Sequence, residues 1–278
     1  MIESLVEQKL KQNDIEIPLL PEVAGKVLRL TQDPDSDAVA LGKLIQGDQG
    51  LASQVMRVAN SVAYSPNTTL VSLQQAISRL GINLISDIAM AASINASLFK
   101  TPGFEGRIRF ELKFALACAL WAKEVARNAR HNVEAAFLAG LLHNIGRPTA
   151  LQSVIKIAEQ SEQNLAQDTF VALENRFQKA FGIRLAEEWA MPQTVVNAIR
   201  YFDAYQQPHD TALHTKLTVA GASLAHYSLG KNNCAEKLSL QQLKSHSVFG
   251  ELDIYQSDID AILEKKDSVD ANIKAMSS

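Results

Sequence analysis

The chain has 278 residues, 47% of them hydrophobic, so it is long enough to bury a large core without disulfides. Its 27 basic and 30 acidic residues give a formal net charge of −3. That balance lacks the basic excess of proteins that bind phosphate backbones, and we expect no nucleic-acid partner. No apolar run reaches the roughly 18 residues that span a bilayer, and the charged N-terminus lacks a signal-peptide core, so we also expect no membrane partner.

The two cysteines, Cys118 and Cys234, show no spacing typical of zinc ligands. Free thiols fit a reducing compartment, and the sequence therefore predicts a cytoplasmic protein. Neither a phosphate-binding glycine loop nor a nucleophile elbow occurs in the sequence.

Apolar residues recur at steps of three and four along nearly the whole chain, which predicts an all-α protein. In the first hundred residues, Asp48 is placed to cap a helix. Ser72 and Gln75 have the spacing of a capping box, and Gly81 is typical of the residue that ends a helix.

The segment KTPGFEG contains a proline and two glycines and is the best candidate for a boundary between two lobes. A long helix is predicted after it, over 107–130. A second, apolar helix contains FLAGLLHN, and Gly146 and Pro148 are predicted to end it. The last segment, from residue 239, is polar and weakly amphipathic.

Four segments, PLLPEVAGKVLRL, GDQGLASQVMRVANS, SLQQAISRLG and FLAGLLHNIG, resemble in order and spacing the HDOD domains of bacteria. These domains are degenerate relatives of the HD metal-dependent phosphohydrolases. The resemblance covers about 19–210 and implies one HDOD-type unit over 1–278, built as an HD-like multi-helix bundle with an N-terminal helical lobe. The lobes are expected at 1–103 and 104–230, with a C-terminal helical extension over 231–278.

An active HD enzyme needs an early histidine, a His-Asp pair and a later aspartate, which bind metal. The resemblance places the first of these positions at or near Leu112 and the last near Gly221. His143 matches the histidine of the pair, but Asn144 replaces the aspartate. Gln178 and the Phe202–Asp203 pair stand where further histidines would be. Because a neutral amide and an alkyl group cannot hold a divalent ion, the resemblance implies no catalytic residues, no metal and no cofactor.

The resemblance also includes a family signature outside the metal-ligand positions. Its members are Asp48, Asn60, Ser61, Gly81 and Gly140, and Asn60 and Ser61 match the strongest signature of the N-terminal lobe. We interpret Asn60 and Ser61 as residues whose side chains satisfy backbone groups where a helix ends, in preference to a binding role. Asn144 is open to two interpretations, a relic of an active site or a helix-end residue with unusual backbone angles.

Two functions remain in competition. The first is a non-catalytic regulatory module of signal transduction that binds other signalling proteins, or a small ligand such as a nucleotide, through a groove between the lobes or an exposed helix face. The alternative is a metal-dependent phosphohydrolase with an atypical ligand set. A residual pocket lined by Leu112, His143, Asn144 and Gln178 is a further possibility, and the sequence leaves the oligomeric state open.

Overall fold

A computed structural model describes residues 2–32, 38–67, 69–229 and 237–277, so Cys234 lies outside the described residues. These residues form α-helices and short 3₁₀ helices, and none of them forms a β-strand, which confirms the predicted all-α class. Within these ranges, the helices are all too short or too polar to span a bilayer.

In chain order the α-helices are α1 (Ile2–Lys11), α2 (Glu22–Gln32), α3 (Ala38–Gln46), α4 (Gln49–Ala59), α5 (Leu73–Leu80), α6 (Ile82–Ser93), α7 (Glu105–Asn128), α8 (Val133–Leu142), α9 (Gly146–Gln160), α10 (Gln167–Glu188), α11 (Gln193–Tyr201), α12 (Ala212–Leu229), α13 (Leu240–Lys244), α14 (Ser247–Gly250), α15 (Gln256–Leu263) and α16 (Lys266–Met276). The 3₁₀ helices are Ala96–Leu98 and Phe202–Ala204.

The chain divides into two units. Unit 1 contains residues 1–19 and 96–256, and unit 2 contains residues 20–95 and 257–278. These limits differ from the predicted lobes at 1–103, 104–230 and 231–278. The difference arises because both ends of the chain pack onto units formed by distant segments, and such contacts leave no local signal in the sequence.

The centre of unit 1 is α7, which packs against α8 and α12. Glycines on the two partner helices allow the backbones to approach closely. A Cβ atom on Gly140 of α8 would lie 2.6 Å from the Cα of Ala119, and one on Gly221 of α12 would lie 2.6 Å from the carbonyl oxygen of Cys118. Both distances are too short for a side chain, so this close packing requires glycine at the two positions.

The second helix pair of unit 1 is α9 with α10, and α1 covers it. Val6 of α1 is fully buried in a cluster with Val154 of α9 and with Phe177 and Phe181 of α10. This apolar contact explains why the first residues of the chain belong to unit 1.

Unit 2 follows the local signals of the sequence closely. Asp48 accepts a hydrogen bond from the Leu51 amide at 3.0 Å and caps α4. Ser72 caps α5 through the Gln75 amide, but the Gln75 side chain accepts from the Val71 amide instead of closing the capping box on Ser72. Gly81 ends α5 with φ of 85°, as expected for a helix-ending glycine.

One predicted helix boundary is wrong. Gly146 and Pro148 were expected to end the FLAGLLHN helix, but α8 ends at Leu142 and both residues lie in the first turn of α9. Proline is tolerated there because the first turn of a helix leaves its amide groups without intrahelical partners. The short connection between α8 and α9 therefore contains His143 and Asn144.

Candidate functional site

The candidate site lies in unit 1, where the connection between α8 and α9 meets α7 and the 3₁₀ helix Phe202–Ala204. His143 is 8% exposed, and its Nδ1 lies 2.7 Å from the Gly140 carbonyl oxygen. Since a carbonyl can only accept, Nδ1 carries the proton and Nε2 carries the lone pair. Burial lowers the pKa of His143 from 6.5 to about 4, so the ring is neutral at physiological pH.

Aromatic rings hold this imidazole. The Phe202 ring stacks on it at a centroid distance of 5.1 Å and an interplanar angle of 22°. Phe114 of α7 is tilted against it at 6.2 Å. The family resemblance placed a metal-ligating histidine around Phe202, and a phenyl ring packed against His143 occupies that position instead.

Asn144 binds α7. Its Nδ2 donates to the backbone oxygen of Glu111 at 3.1 Å and to the Glu111 carboxylate oxygen Oε2 at 3.3 Å. Asn144 has no positive φ angle, so the interpretation as a helix end with unusual backbone angles does not describe it. The amide therefore ties the connection to α7 with the donor groups that an aspartate would lack.

A buried ion-pair cluster surrounds Glu111. Glu174 of α10 is fully buried, and it accepts from Nε of Arg107 at 2.6 Å and from an Arg147 guanidinium nitrogen at 2.9 Å. Glu111 Oε2 lies 3.7 Å from Nε of Arg147, and Glu111 Oε1 lies 4.0 Å from Arg107. Two guanidinium groups thus neutralise two buried carboxylates.

Glu111 is the less well paired of the two carboxylates. It is 3% exposed, and its buried Oε1 has no hydrogen-bond partner among the described residues. Burial raises the pKa of Glu111, the Glu174 charge adds to this effect, and Arg147, Arg107 and Asn144 oppose it.

The residues around His143 do not fit a divalent metal ion. The carboxylates of Glu111 and Glu174 are paired with arginines, and Asn144 directs N–H groups, which cannot coordinate a cation, at Glu111. In the part of the chain that the structure describes, no three His, Cys, Asp or Glu side chains come close enough together to hold a metal.

A cavity of about 720 Å³ opens beside the cluster. Its lining residues come from α7, from the connection between α8 and α9, from α9 to α12, from the 3₁₀ helix Phe202–Ala204, and from the segment that follows α12. Among them are Glu111, Phe114, His143, Asn144, Arg147, Arg176, Gln178, Lys179, Phe202, Asp203, Ser223, His226 and His246.

The structure brings together three of the four residues predicted for a residual pocket. His143, Asn144 and Gln178 line the cavity, whereas Leu112 does not and its neighbour Glu111 does. Gly221 faces the α7 backbone, and the nearby α12 residues Ala222 and Ser223 reach the cavity.

The charged and aromatic partners of the pocket were not predicted from the sequence. Glu111, Arg147 and Glu174 meet through contacts between α7, α9 and α10 that are distant in sequence. One feature of the sequence could have indicated them. The apolar pattern of α7 continues on both sides of Glu111, and a charged residue within such a pattern is rarely buried unless it is paired.

In unit 2 the side chains of the signature residues Asn60 and Ser61 differ from each other in their hydrogen bonds. Asn60 accepts from the Leu70 amide at 2.6 Å through Oδ1, and its Nδ2 donates to the Leu70 carbonyl at 2.9 Å. This is the backbone-satisfying role expected for it. The buried Ser61 hydroxyl has no hydrogen-bond partner among the described residues, so that role does not extend to Ser61.

Comparison with known proteins agrees with the fold. The HDOD domain model matches residues 17–205, more than half of the chain. An uncharacterised protein of Treponema pallidum (strain Nichols) is 24% identical over 221 residues, and the match spans 75% of this chain but only 42% of that protein.

Solved structures share this architecture. An HDOD domain protein of unknown function from Geobacter sulfurreducens has a TM-score of 0.74 and 21% identity, with 98% of both chains covered. A Shewanella amazonensis SB2B protein, provisionally described as a metal-dependent phosphohydrolase, has a TM-score of 0.74 and 20% identity over 99% of this chain and 98% of that one. A provisionally described signal transduction protein of Marinobacter aquaeolei VT8 has a TM-score of 0.66 and 25% identity, over 98% of this chain and 61% of that one.

Proposed function

Because the chain belongs to the HDOD family, we propose that it is a non-catalytic regulatory module of signal transduction that binds another protein or a small signalling ligand. One observation carries the proposal: Arg107 and Arg147 pair with Glu111 and Glu174 beside His143. Metal-dependent hydrolysis needs free carboxylates and imidazoles to hold the ion that activates water. Here a divalent cation would have to displace two guanidinium groups from buried carboxylates.

The same cluster suits a regulatory module because it fixes the site in one arrangement. Breaking one of these buried ion pairs would leave an uncompensated charge in the interior, which is costly in free energy. The pairs therefore keep α7, α9 and α10 in fixed positions relative to one another. His143 is likewise held by its bond to Gly140 and by the rings of Phe114 and Phe202. A rigid scaffold of this kind can present a binding surface without performing chemistry.

Metal content and hydrolysis test the proposal directly. Protein purified without chelators is expected to carry less than stoichiometric Mn, Fe, Ni and Zn by elemental analysis. It is also expected to leave bis(p-nitrophenyl) phosphate intact with or without added Mn²⁺. His143→Ala is expected to change neither result, and His131→Ala, which removes an exposed histidine, controls for metal adsorbed at the surface.

A second experiment tests the positive half of the proposal. The tagged chain is used to capture proteins from a bacterial extract, and each captured signalling protein is then purified and mixed with the chain. A stoichiometric complex that persists at physiological salt is the expected result. Failure of every reconstituted pair would contradict a protein-binding role.

The fold likeness to the Shewanella protein favours one alternative, a metal-dependent phosphohydrolase with an atypical ligand set. Stoichiometric metal together with metal-dependent hydrolysis that disappears in His143→Ala would establish this alternative and remove the regulatory one.

A further inference from the structure

A second, open pocket of about 390 Å³ lies in unit 1, where the end of α9, the start of α10 and the segment before α7 meet. We call it the α9–α10 pocket. It shares no lining residue with the cavity beside His143, and none of the described residues that line it is a lysine or an arginine. Its apolar and acidic lining residues include Phe104, Ile155, Leu165 and Phe170, and Glu159 and Glu162.

The floor of the α9–α10 pocket is apolar. Phe104 and Ile155 are buried, whereas Leu165 and Phe170 are only partly buried, so apolar surface remains open to solvent. The rings of Phe104 and Phe170 meet edge to face, with a centroid distance of 5.6 Å and an interplanar angle of 67°. A large apolar side chain placed on these rings would remove the remaining apolar surface from water, which is favourable.

The rim of the pocket carries two exposed carboxylates, those of Glu159 and Glu162. In the part of the chain that the structure describes, neither carboxylate has an ion-pair or hydrogen-bond partner. Both residues lie at the C-terminal end of α9. Because the helix dipole is negative there, an acidic side chain is unfavourable at this end and a cation is favoured.

Glu162 is unfavourable for a second reason. Its φ is 53°, a left-handed conformation that glycine or asparagine adopts more easily. Helices α1, α7 and α10 end with the same pattern of backbone hydrogen bonds, and the equivalent residues are Asn13, Arg130 and Ala190. None of these three is acidic, and Arg130 has the charge that a helix C-terminus favours. A residue that breaks two local rules without a compensating contact is expected at a functional position.

We propose that the α9–α10 pocket binds a basic segment of a partner protein. One large apolar side chain of that segment packs on Phe104 and Phe170, and flanking arginines or lysines pair with Glu159 and Glu162. Charge complementarity selects this occupant, since an acidic segment would be repelled by the rim and a small cation would leave the apolar floor uncovered. The inference rests on the proposed function in its protein-binding form and adds the surface and the chemistry of the partner.

Isothermal titration calorimetry of the full chain with unlabelled peptides tests the pocket. The probe is Gly-Arg-Arg-Phe-Arg-Arg-Gly, compared with a peptide that has alanine in place of phenylalanine and one that has aspartate in place of every arginine. The phenylalanine peptide is expected to bind about tenfold more tightly than the alanine peptide, and the aspartate peptide is expected not to bind. Equal affinity of the first two, or no binding of the phenylalanine peptide at millimolar concentration, would overturn the proposal.

Charge variants show whether the two rim carboxylates are responsible. Glu159→Gln combined with Glu162→Gln should weaken the phenylalanine peptide about tenfold, because both ion pairs are lost. Asp210→Asn combined with Glu264→Gln removes two exposed acidic charges elsewhere and should leave the affinity unaltered. Equal losses in the two double variants, which have the same net charge, would show attraction to the overall charge and contradict a specific site.

Glu162→Gly separates binding from stability. Glycine suits the left-handed conformation and removes the negative charge from the helix end, so the unfolding temperature should rise by about 2 °C. The same change should weaken the phenylalanine peptide. A lower unfolding temperature would show that Glu162 stabilises the fold and would overturn the argument for a partner.

The captured signalling proteins distinguish this inference from the proposed function. A purified partner that binds the wild-type chain should bind the variant with both Glu159→Gln and Glu162→Gln about tenfold more weakly. Equal binding of that partner to both chains would exclude the α9–α10 pocket as its docking site and leave the proposed function intact.

Discussion

At the scale of single residues, Asn60 joins the C-terminal end of α4 to the segment that precedes α5. Its amide makes both hydrogen bonds of a backbone bridge with the buried Leu70, at 2.6 and 2.9 Å. No other side chain of similar size offers both a donor and an acceptor in this geometry except aspartate in its protonated form.

Asn60→Ala is therefore expected to lower the free energy of unfolding by about 2 kcal/mol, because two partly buried backbone groups lose their partners. Urea unfolding followed by circular dichroism measures the change. Asn67→Ala, an exposed change nearby in the chain, should cost less than about 0.5 kcal/mol. Equal stability of both variants would contradict the bridging role of Asn60.

His143 should make stability depend on pH. Its pKa falls from 6.5 in the unfolded chain to about 4 in the folded chain, so the unfolded state binds the proton first as pH falls. Stability is fully present above pH 6.5 and decreases between pH 6.5 and 4, by about 3 kcal/mol for the buried ring. Glu111 acts in the opposite sense, since an acid with a raised pKa favours folding at low pH.

The comparison of His143→Gln with the wild-type chain isolates this contribution. The variant should show a smaller decrease of unfolding free energy between pH 6.5 and 4 in urea titrations. Gln160→Ala, at an exposed and uncharged position, should keep the wild-type slope. A slope unchanged in His143→Gln would show that the ring is not neutral and buried in the folded protein.

At the scale of helices, glycine determines how closely α7, α8 and α12 pack. A methyl group at Gly221 would lie 2.6 Å from the Cys118 carbonyl oxygen and 2.7 Å from the Ala122 amide nitrogen. Neither atom can move without shifting the α7 backbone. Gly221→Ala should therefore destabilise the protein by about 1 to 3 kcal/mol, despite the higher helix propensity of alanine.

Thermal unfolding followed by the circular dichroism signal of the helices tests this prediction. Gly250→Ala is the matched control, because a Cβ atom there would have no other atom within 4 Å. The control should be neutral or slightly stabilising, as expected for alanine in place of glycine in a helix. Destabilisation of similar size in both variants would contradict the packing explanation.

The helices also show what the sequence can and cannot predict. Caps such as Asp48 and Ser72 were predictable because they act within one turn. The residues of the cavity wall were not predictable, because an error of one residue in the alignment moves the expected side chain by about 100° around the helix axis. Placing the family position at Leu112 instead of Glu111, or at Gly221 instead of Ala222, therefore selects another face.

Charge pairing across helices was beyond local patterns for the same reason. Arg107 and Glu174 are 67 residues apart, and each alone resembles a residue of a solvated helix face. Family motifs located His143 and Asn144, but they say nothing about which side chains neutralise the buried charges around them. Only the packing of α7 against α9 and α10 brings those side chains together.

At the scale of the whole molecule, unit 1 includes a helix from the start of the chain. Val6 and Ile2 of α1 are buried against α9 and α10, and Arg176 pairs with Glu3 and Glu7. The ion pairs are exposed and contribute little, so the apolar contact accounts for most of the attachment.

Deletion of residues 2–12 should therefore destabilise unit 1, by about 3 to 5 kcal/mol, because the cluster around Phe177 and Phe181 would be uncovered. Both tryptophans, Trp121 and Trp189, lie in unit 1, so the urea midpoint of tryptophan fluorescence reports on this unit. Gln8→Ala, at an exposed position of α1, should leave the midpoint unchanged. A midpoint unaffected by the deletion would show that α1 is not part of the folded unit in solution.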